Sequence, residues 1–216
     1  MMCEAKRRMA NGAKTARRTQ AQRREAGRSA LVEASIESLS EKGFGNTTSQ
    51  DICARANCTT GAIQHHFGSK NGLYIAVLDQ LLDEFRSAFL EFPSADEPLE
   101  GRLHKTIGVL RSLYTSDRYR ATQSLVLGAQ HDPELKDLVA HQRRGALDLT
   151  RRAWLATFSN VGLSAKQLRS LLEIIVSVLR DYHFNRTVDQ DEAARQLELN
   201  IGQVERLVLL QLQSRV

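Results

Sequence analysis

Prolines are scarce in this sequence, three in 216 residues, and aromatic residues make up only 6%. Leu, Ala, Arg, Glu and Gln are plentiful instead. That mixture favours helix over sheet, because straight-chain residues lose little rotamer freedom in a helix while strands draw on β-branched and aromatic side chains. No apolar run approaches the roughly 20 residues needed to cross a bilayer, so no membrane partner is expected. Cysteine is equally sparse: Cys3, Cys53 and Cys58 are odd in number and lack a Cys-x-x-Cys spacing. This speaks against a disulfide framework or a zinc site and fits a reducing cytoplasm. The basic, polar start of the chain has no apolar h-region, so a secretory signal is not expected. Catalytic signatures are missing too: there is no G-x-S-x-G, phosphate loop, H-E-x-x-H or Rossmann fingerprint. Neither an enzyme nor a cofactor is expected.

What the chain does contain is an ordinary globular balance, 42% hydrophobic and 25% charged, with a lopsided charge distribution. Residues 1–28 hold nine Lys/Arg against Glu4 and Glu25, a net of +7; the whole chain is +5, which leaves −2 for residues 29–216. A basic arm on a mildly acidic body points to an anionic polymer at one end, or else to an inert solvated tail. Residues 1–19 lack hydrophobic periodicity and are expected to be a disordered arm.

From Thr19 a helical pattern runs through Leu31, Val32, Ile36 and Leu39 and closes at Gly43. Thr48 opens a two-turn helix over Ser49 to Ala56. Asn57 is a candidate for positive φ, and Thr59 or Thr60 opens another short helix to about His66. Ser69 begins a longer one with Leu73, Val77, Leu81, Leu82, Phe85 and Phe89 on one stripe, stopped by Pro93. Further helices are expected over Leu99 to Tyr114, Tyr119 to Ala129, and Pro133 to about Phe158. A capping box at Ser164–Gln167 starts another, and Asp189 starts the last. The fold class is therefore all-α, a head of residues 20–72 followed by a larger helical body of residues 73–216.

The decisive stretch runs from Thr47 to Lys70, TTSQDICARANCTTGAIQHHFGSK. Two short helices meet at the tight turn Asn57-Cys58-Thr59, the spacing of a helix-turn-helix. At about 100° per residue, an inward Ile63 puts Phe67, His66 and Thr59 on its side. Gly61, Gln64 and His65 then face outward, with Thr60 and Ala62 at the margins. Small residues allow close approach to a major groove, while Gln and His reach base edges. His65 and His66 diverge by about 100° and are poorly placed to share a metal ion. No metal site is expected, and a thiol switch at Cys58 stays open.

These residues resemble the TetR family of bacterial regulators. The elements that carry the likeness are Gly43, Thr47-Thr48, Asp51-Ile52-Cys53, Asn57-Cys58-Thr59, Gln64-His65-His66-Phe67 and Ser69-Lys70, in order and at matching spacing. Two positions depart from the family pattern: Gln64 stands for the usual tyrosine, and Ala54 for a common basic residue. The resemblance implies a double-stranded DNA operator as partner. Thr48, Thr59, Thr60, Gly61, Gln64, His65 and Lys70 are then candidate DNA contacts, with Arg24 and Arg28 of the basic segment tracking phosphates. It also implies a ligand-responsive repressor acting on a palindrome as a homodimer. Tyr114, Gln123, Trp154 and Phe158 are candidate walls for a small-molecule effector site. Leu171, Ile175, Leu179, Leu207, Val208 and Leu210 on the last two helices are candidates for self-association. The competing reading has the body docking a protein partner, and a cavity inside the body would separate the two.

Overall fold

The computed structural model describes residues 19–213 and folds them into nine α-helices, with no strand among them. Apart from Thr19, the basic arm expected over residues 1–19 lies outside the described residues, and so does Cys3. Helix α1 (Gln20–Lys42) starts on a reciprocal capping box between Thr19 and Gln22 and ends at Gly43, whose φ of +75° suits a residue without Cβ. Helix α2 (Ser49–Arg55) is capped by the Thr48 hydroxyl, which accepts from the Asp51 amide at 3.1 Å. Asn57, at φ +51°, makes the turn to α3 (Gly61–Phe67), and the Ser69 hydroxyl caps α4 (Lys70–Ala88).

Five longer helices follow: α5 (Leu99–Tyr114), α6 (Asp117–Gly128), α7 (Pro133–Thr157), α8 (Ala165–Arg186) and α9 (Gln190–Gln213). Pro133 sits in the first turn of α7, and a Ser164–Gln167 capping box opens α8. Helices α8 and α9 form the broadest helix contact among the described residues, and α5 packs against both.

Two apolar cores result. One gathers Leu31, Ile36 and Leu39 of α1, Ile52, Ile63, and Leu73 and Val77 of α4. It continues without a break into Ala121 and Leu125 of α6 and Leu135 and Val139 of α7. The other holds Leu103, Leu110, Trp154, Phe158, Leu172, Ile175, Leu179 and Val208. Burying each such side chain contributes about 1.5–3 kcal/mol. The division expected at residues 72 and 73 falls in the first turn of α4, whose Leu73 and Val77 pack in the head's own core. A helix-turn-helix of this size has too little core of its own and borrows from α4 and α6.

Head and body are also joined by polar contacts. Arg118 of α6 pairs with Glu33 of α1 at 2.8 Å and with Glu84 of α4 at 3.4 Å. The Ser124 hydroxyl donates to the Leu39 carbonyl at 2.9 Å. Phe44, just after α1, packs so close to α6 that a Cβ on Gly128 would lie 1.9 Å from its ring.

Candidate nucleic-acid interface and body cavity

The outward face of the head is built by α3. Ile63 is buried beneath it and His66 and Phe67 are half-buried, while Thr60, Gly61, Gln64 and His65 are exposed. Thr59 is a correction. It is exposed rather than inward, because its residue precedes the first helical turn and does not follow the 100° progression. Neither threonine hydroxyl caps α3: Thr60 occupies the cap position without a side-chain hydrogen bond, and the first turn is closed by the Thr59 carbonyl accepting from the Ala62 amide at 2.9 Å. Both hydroxyls are thereby left for contacts outside the fold. Gly61 begins α3, so the full penalty of a mid-helix glycine does not apply. A Cβ there would meet nothing closer than the Thr59 hydroxyl at 3.9 Å, so the fold itself does not demand glycine.

Beside α3, the first turns of α1 complete a basic concavity lined by Gln20, Arg23, Arg24, His65 and His66. Arg28 lies over the Phe67 ring at 5.2 Å, a cation–π contact that ties α1 to the end of α3. Burial lowers the His66 pKa, and His65, Arg24 and Arg28 lower it further, so the ring is neutral at pH 7. Cations arranged around a groove-sized helix suit a polyanion, because each neutralised phosphate releases counterions.

Thr48 is exposed at the head of α2, its hydroxyl occupied as a cap. Lys70 is half-buried. Its ammonium donates to the Thr47 carbonyl at 2.6 Å and lies 5.4 Å from the Tyr74 ring, and burial lowers its pKa. Lys70 therefore braces the start of α2 from α4, a role that sequence reasoning missed. Asp51 is a second brace, receiving hydrogen bonds from Lys42 and Ser38 of α1. Cys53 is buried, and burial together with the neighbouring Cys58 thiol pushes it up to about 11, which makes it a poor nucleophile. Among the described residues, no three His, Cys, Asp or Glu side chains converge as a metal set. No helix among them is long and apolar enough to cross a membrane.

The body contains a cavity of about 80 Å³ where α4, α5, α6, α7 and α8 meet. Tyr114 and Gln123 line it, joined by Leu78, Phe85, Tyr119, Val139, Arg143 and Arg180. Trp154 and Phe158 do not. Both are fully buried in the second core, the Trp154 indole N–H donating to the Leu168 carbonyl at 2.8 Å and the two rings tilted at 45° with centroids 4.3 Å apart. The arginines escaped sequence reasoning because a charge at helical spacing reads as a solvated face.

The self-association candidates divide in two. Ile175, Leu179 and Val208 are corrections: each is at most 1% exposed and packed inside the chain's own core, since α8 and α9 cover one another. Leu171 is half-buried, whereas Leu207 and Leu210 are 62% and 63% exposed. Exposed Ile174 and Leu199 were not anticipated on these same helices.

Comparison with known proteins agrees with this geometry. Residues 31–77 match the family model described as bacterial regulatory proteins, tetR family. The HTH-type transcriptional regulator CymR of Pseudomonas putida is 23% identical over 164 residues, 76% of this chain and 81% of that one. The HTH-type transcriptional regulator BetI of Burkholderia cenocepacia is 38% identical over 65 residues, which span 30% of this chain and 34% of that protein. In fold, the chain is similar to a putative TetR-family transcriptional regulator from Rhodococcus sp., with a TM-score of 0.63 and 15% identity over 85% of this chain and 98% of that one. With a helix-turn-helix head that matches the tetR-family model over residues 31–77, an all-helical body and these relatives, the chain is a DNA-binding transcriptional regulator.

Proposed function

We propose that this regulator is a ligand-responsive repressor that binds a palindromic operator as a homodimer. The observation that carries the reading is a shared helix. Helix α4 begins beside the recognition helix with Ser69 and Lys70, and nine residues into its length it lines the body cavity with Leu78, Leu81, Leu82 and Phe85. Helix α6 supports it in the same way. Its Tyr119, Thr122, Gln123 and Val126 face the cavity, while Arg118, Ser124 and Gly128 hold α1 and Phe44.

At about 80 Å³ the cavity is smaller than the roughly 150 Å³ that admits benzene in an engineered protein core. A ring-sized ligand therefore enters by moving walls, and two of those walls are attached to the head. Coupling of this kind changes operator affinity by about 5–150-fold. Exposed Leu207, Leu210, Ile174 and Leu199 support a two-fold pairing through α8 and α9. Such a dimer sets two copies of α3 in successive major grooves, about 34 Å apart. The existence of the cavity favours a small-molecule effector over a protein partner for the body.

The test is a gel shift of the purified chain against the DNA flanking its own gene, at two salt concentrations. A discrete complex that resists unlabelled competitor DNA supports the reading. Smeared binding that disappears with salt at every fragment tried would remove the specific operator from it.

A further inference from the structure

We propose that the body cavity takes a small hydrophobic monocarboxylate, its carboxylate held between Arg180 and Arg143 and its apolar part lodged against Leu78, Phe85 and Val139. The inference rests on the reading of this cavity as the effector site. Its basis is an imbalance of charge. Two guanidinium groups reach the cavity, Arg143 from α7 at the rim and Arg180 from α8 deeper in, and no Asp or Glu is among the residues that line it. Glu173, which acts on the Tyr114 phenol, is already paired with Arg151 at 2.7 Å. Neither Arg143 nor Arg180 makes an ion pair with another described residue.

Arg180 is half-buried and its Nε is enclosed without a hydrogen-bond partner. A guanidinium held against apolar walls and lacking a counterion costs stability unless something supplies the missing charge. The Tyr114 and Tyr119 phenols accept hydrogen bonds from Arg180 but bring no negative charge. The Arg180 guanidinium lies 6.0 Å from the Tyr114 ring, and burial raises the phenol pKa of both Tyr114 and Tyr119, so both stay neutral near pH 7. The neighbouring His183 is held neutral as well, chiefly by burial.

What fits is a group that is anionic, planar and small. A carboxylate meets these terms, since its two oxygens match the parallel N–H donors of a guanidinium. Phe85, Tyr114 and Tyr119, held together by edge-to-face contacts, line the rest of the space and leave it to an apolar chain or a single ring. The polar residues Thr122 and Gln142 are engaged elsewhere, Thr122 with the Arg118 carbonyl at 3.2 Å and Gln142 with Asp79 at 2.7 Å. Arg143, Arg180 and Gln123 are thus the lining groups with donors facing the space, and of these the arginines alone carry a positive charge.

The test is calorimetric titration of the full chain with benzoate and octanoate, each against its neutral amide. The acids are expected to bind at least about tenfold more tightly than benzamide and octanamide, and R180Q to erase that preference. Should R180Q fail to fold by circular dichroism, R143Q at the rim is expected to reduce the preference instead. Equal binding of acids and amides, or no binding of either acid up to about 10 mM, would overturn the proposal. A gel shift with the same compounds separates it from the reading on which it rests. Acids that bind without changing operator affinity uphold the ligand class and overturn ligand-responsive repression. Release of DNA by the amides alone does the reverse.

Discussion

Replacing Gln64 by alanine removes an amide from the exposed face of α3 and leaves the packed side of that helix untouched. A bidentate amide–base pair discriminates by about 1–3 kcal/mol, so Q64A is expected to relax the preference at one or two base pairs. Selection from a randomised operator library measures this, and an unchanged site preference would remove Gln64 from base readout. Lys70 behaves differently. K70A deletes a charge near the DNA face and also the donor to the Thr47 carbonyl, so it is expected to weaken binding to all sequences and to lower stability by about 1 kcal/mol. A thermal melt without DNA separates the two effects: an unchanged Tm would reduce Lys70 to a phosphate contact. Asp51 adds a pH signature. The hydrogen bonds from Lys42 and then Ser38 hold its carboxyl below the usual range. Its contribution is present above the unfolded value of about 3.9 and is lost as pH falls through the lower folded value. Denaturation followed from about pH 2 to about pH 6 should show a shallower acid limb for D51N than for the parent chain.

Between elements, the tightest constraint is the approach of Phe44 to α6. A methyl group on Gly128 would overlap the Phe44 ring, so G128A must displace the ring or the helix, at about 1–3 kcal/mol. The expected result is a lower Tm together with altered operator affinity, although residue 128 lies outside α3. Wild-type affinity and stability would show that Phe44 has another place to go. Local signals made the elements themselves legible in the sequence. Thr19, Thr48, Ser69 and Ser164 are caps whose partners lie three residues away, so a few adjacent letters suffice to read them. Asn57 at the turn is legible for the same reason, as a side chain that tolerates positive φ. Contacts across the fold leave no such trace. Nothing local to Trp154 says that its indole meets Leu168, and nothing local to Lys70 points to a carbonyl 23 residues back. Arg180 follows an apolar helical stripe and looks like the edge of its wet face, whereas it borders a cavity that four other helices also line.

For the whole molecule, the division of α8 and α9 into buried and exposed residues yields an experiment with two opposed outcomes. I175A should lower stability by about 2–5 kcal/mol without dissociating a dimer, because Ile175 fills the chain's own core. L207E with L210E should leave the helical content intact and convert the particle to a monomer in light scattering. A dimer that survives the double substitution would move the pairing surface elsewhere. Sequence periodicity marked both kinds of residue as apolar and could not say which neighbour covers which stripe.

The apolar core that runs from α1 through α4 into α6 and α7 also bears on how such regulators can be recombined. A chimera cut at residue 72, to give this regulator a new target site, would strand Leu73 and Val77 opposite a foreign partner and set a mismatched residue against Gly128. The unit that can be exchanged between relatives is larger than the segment that reads DNA: it comprises the head together with the faces of α4 and α6 that close it. Grafts that respect this seam should inherit both target and responsiveness, whereas those that cut through it should keep the target and lose the response.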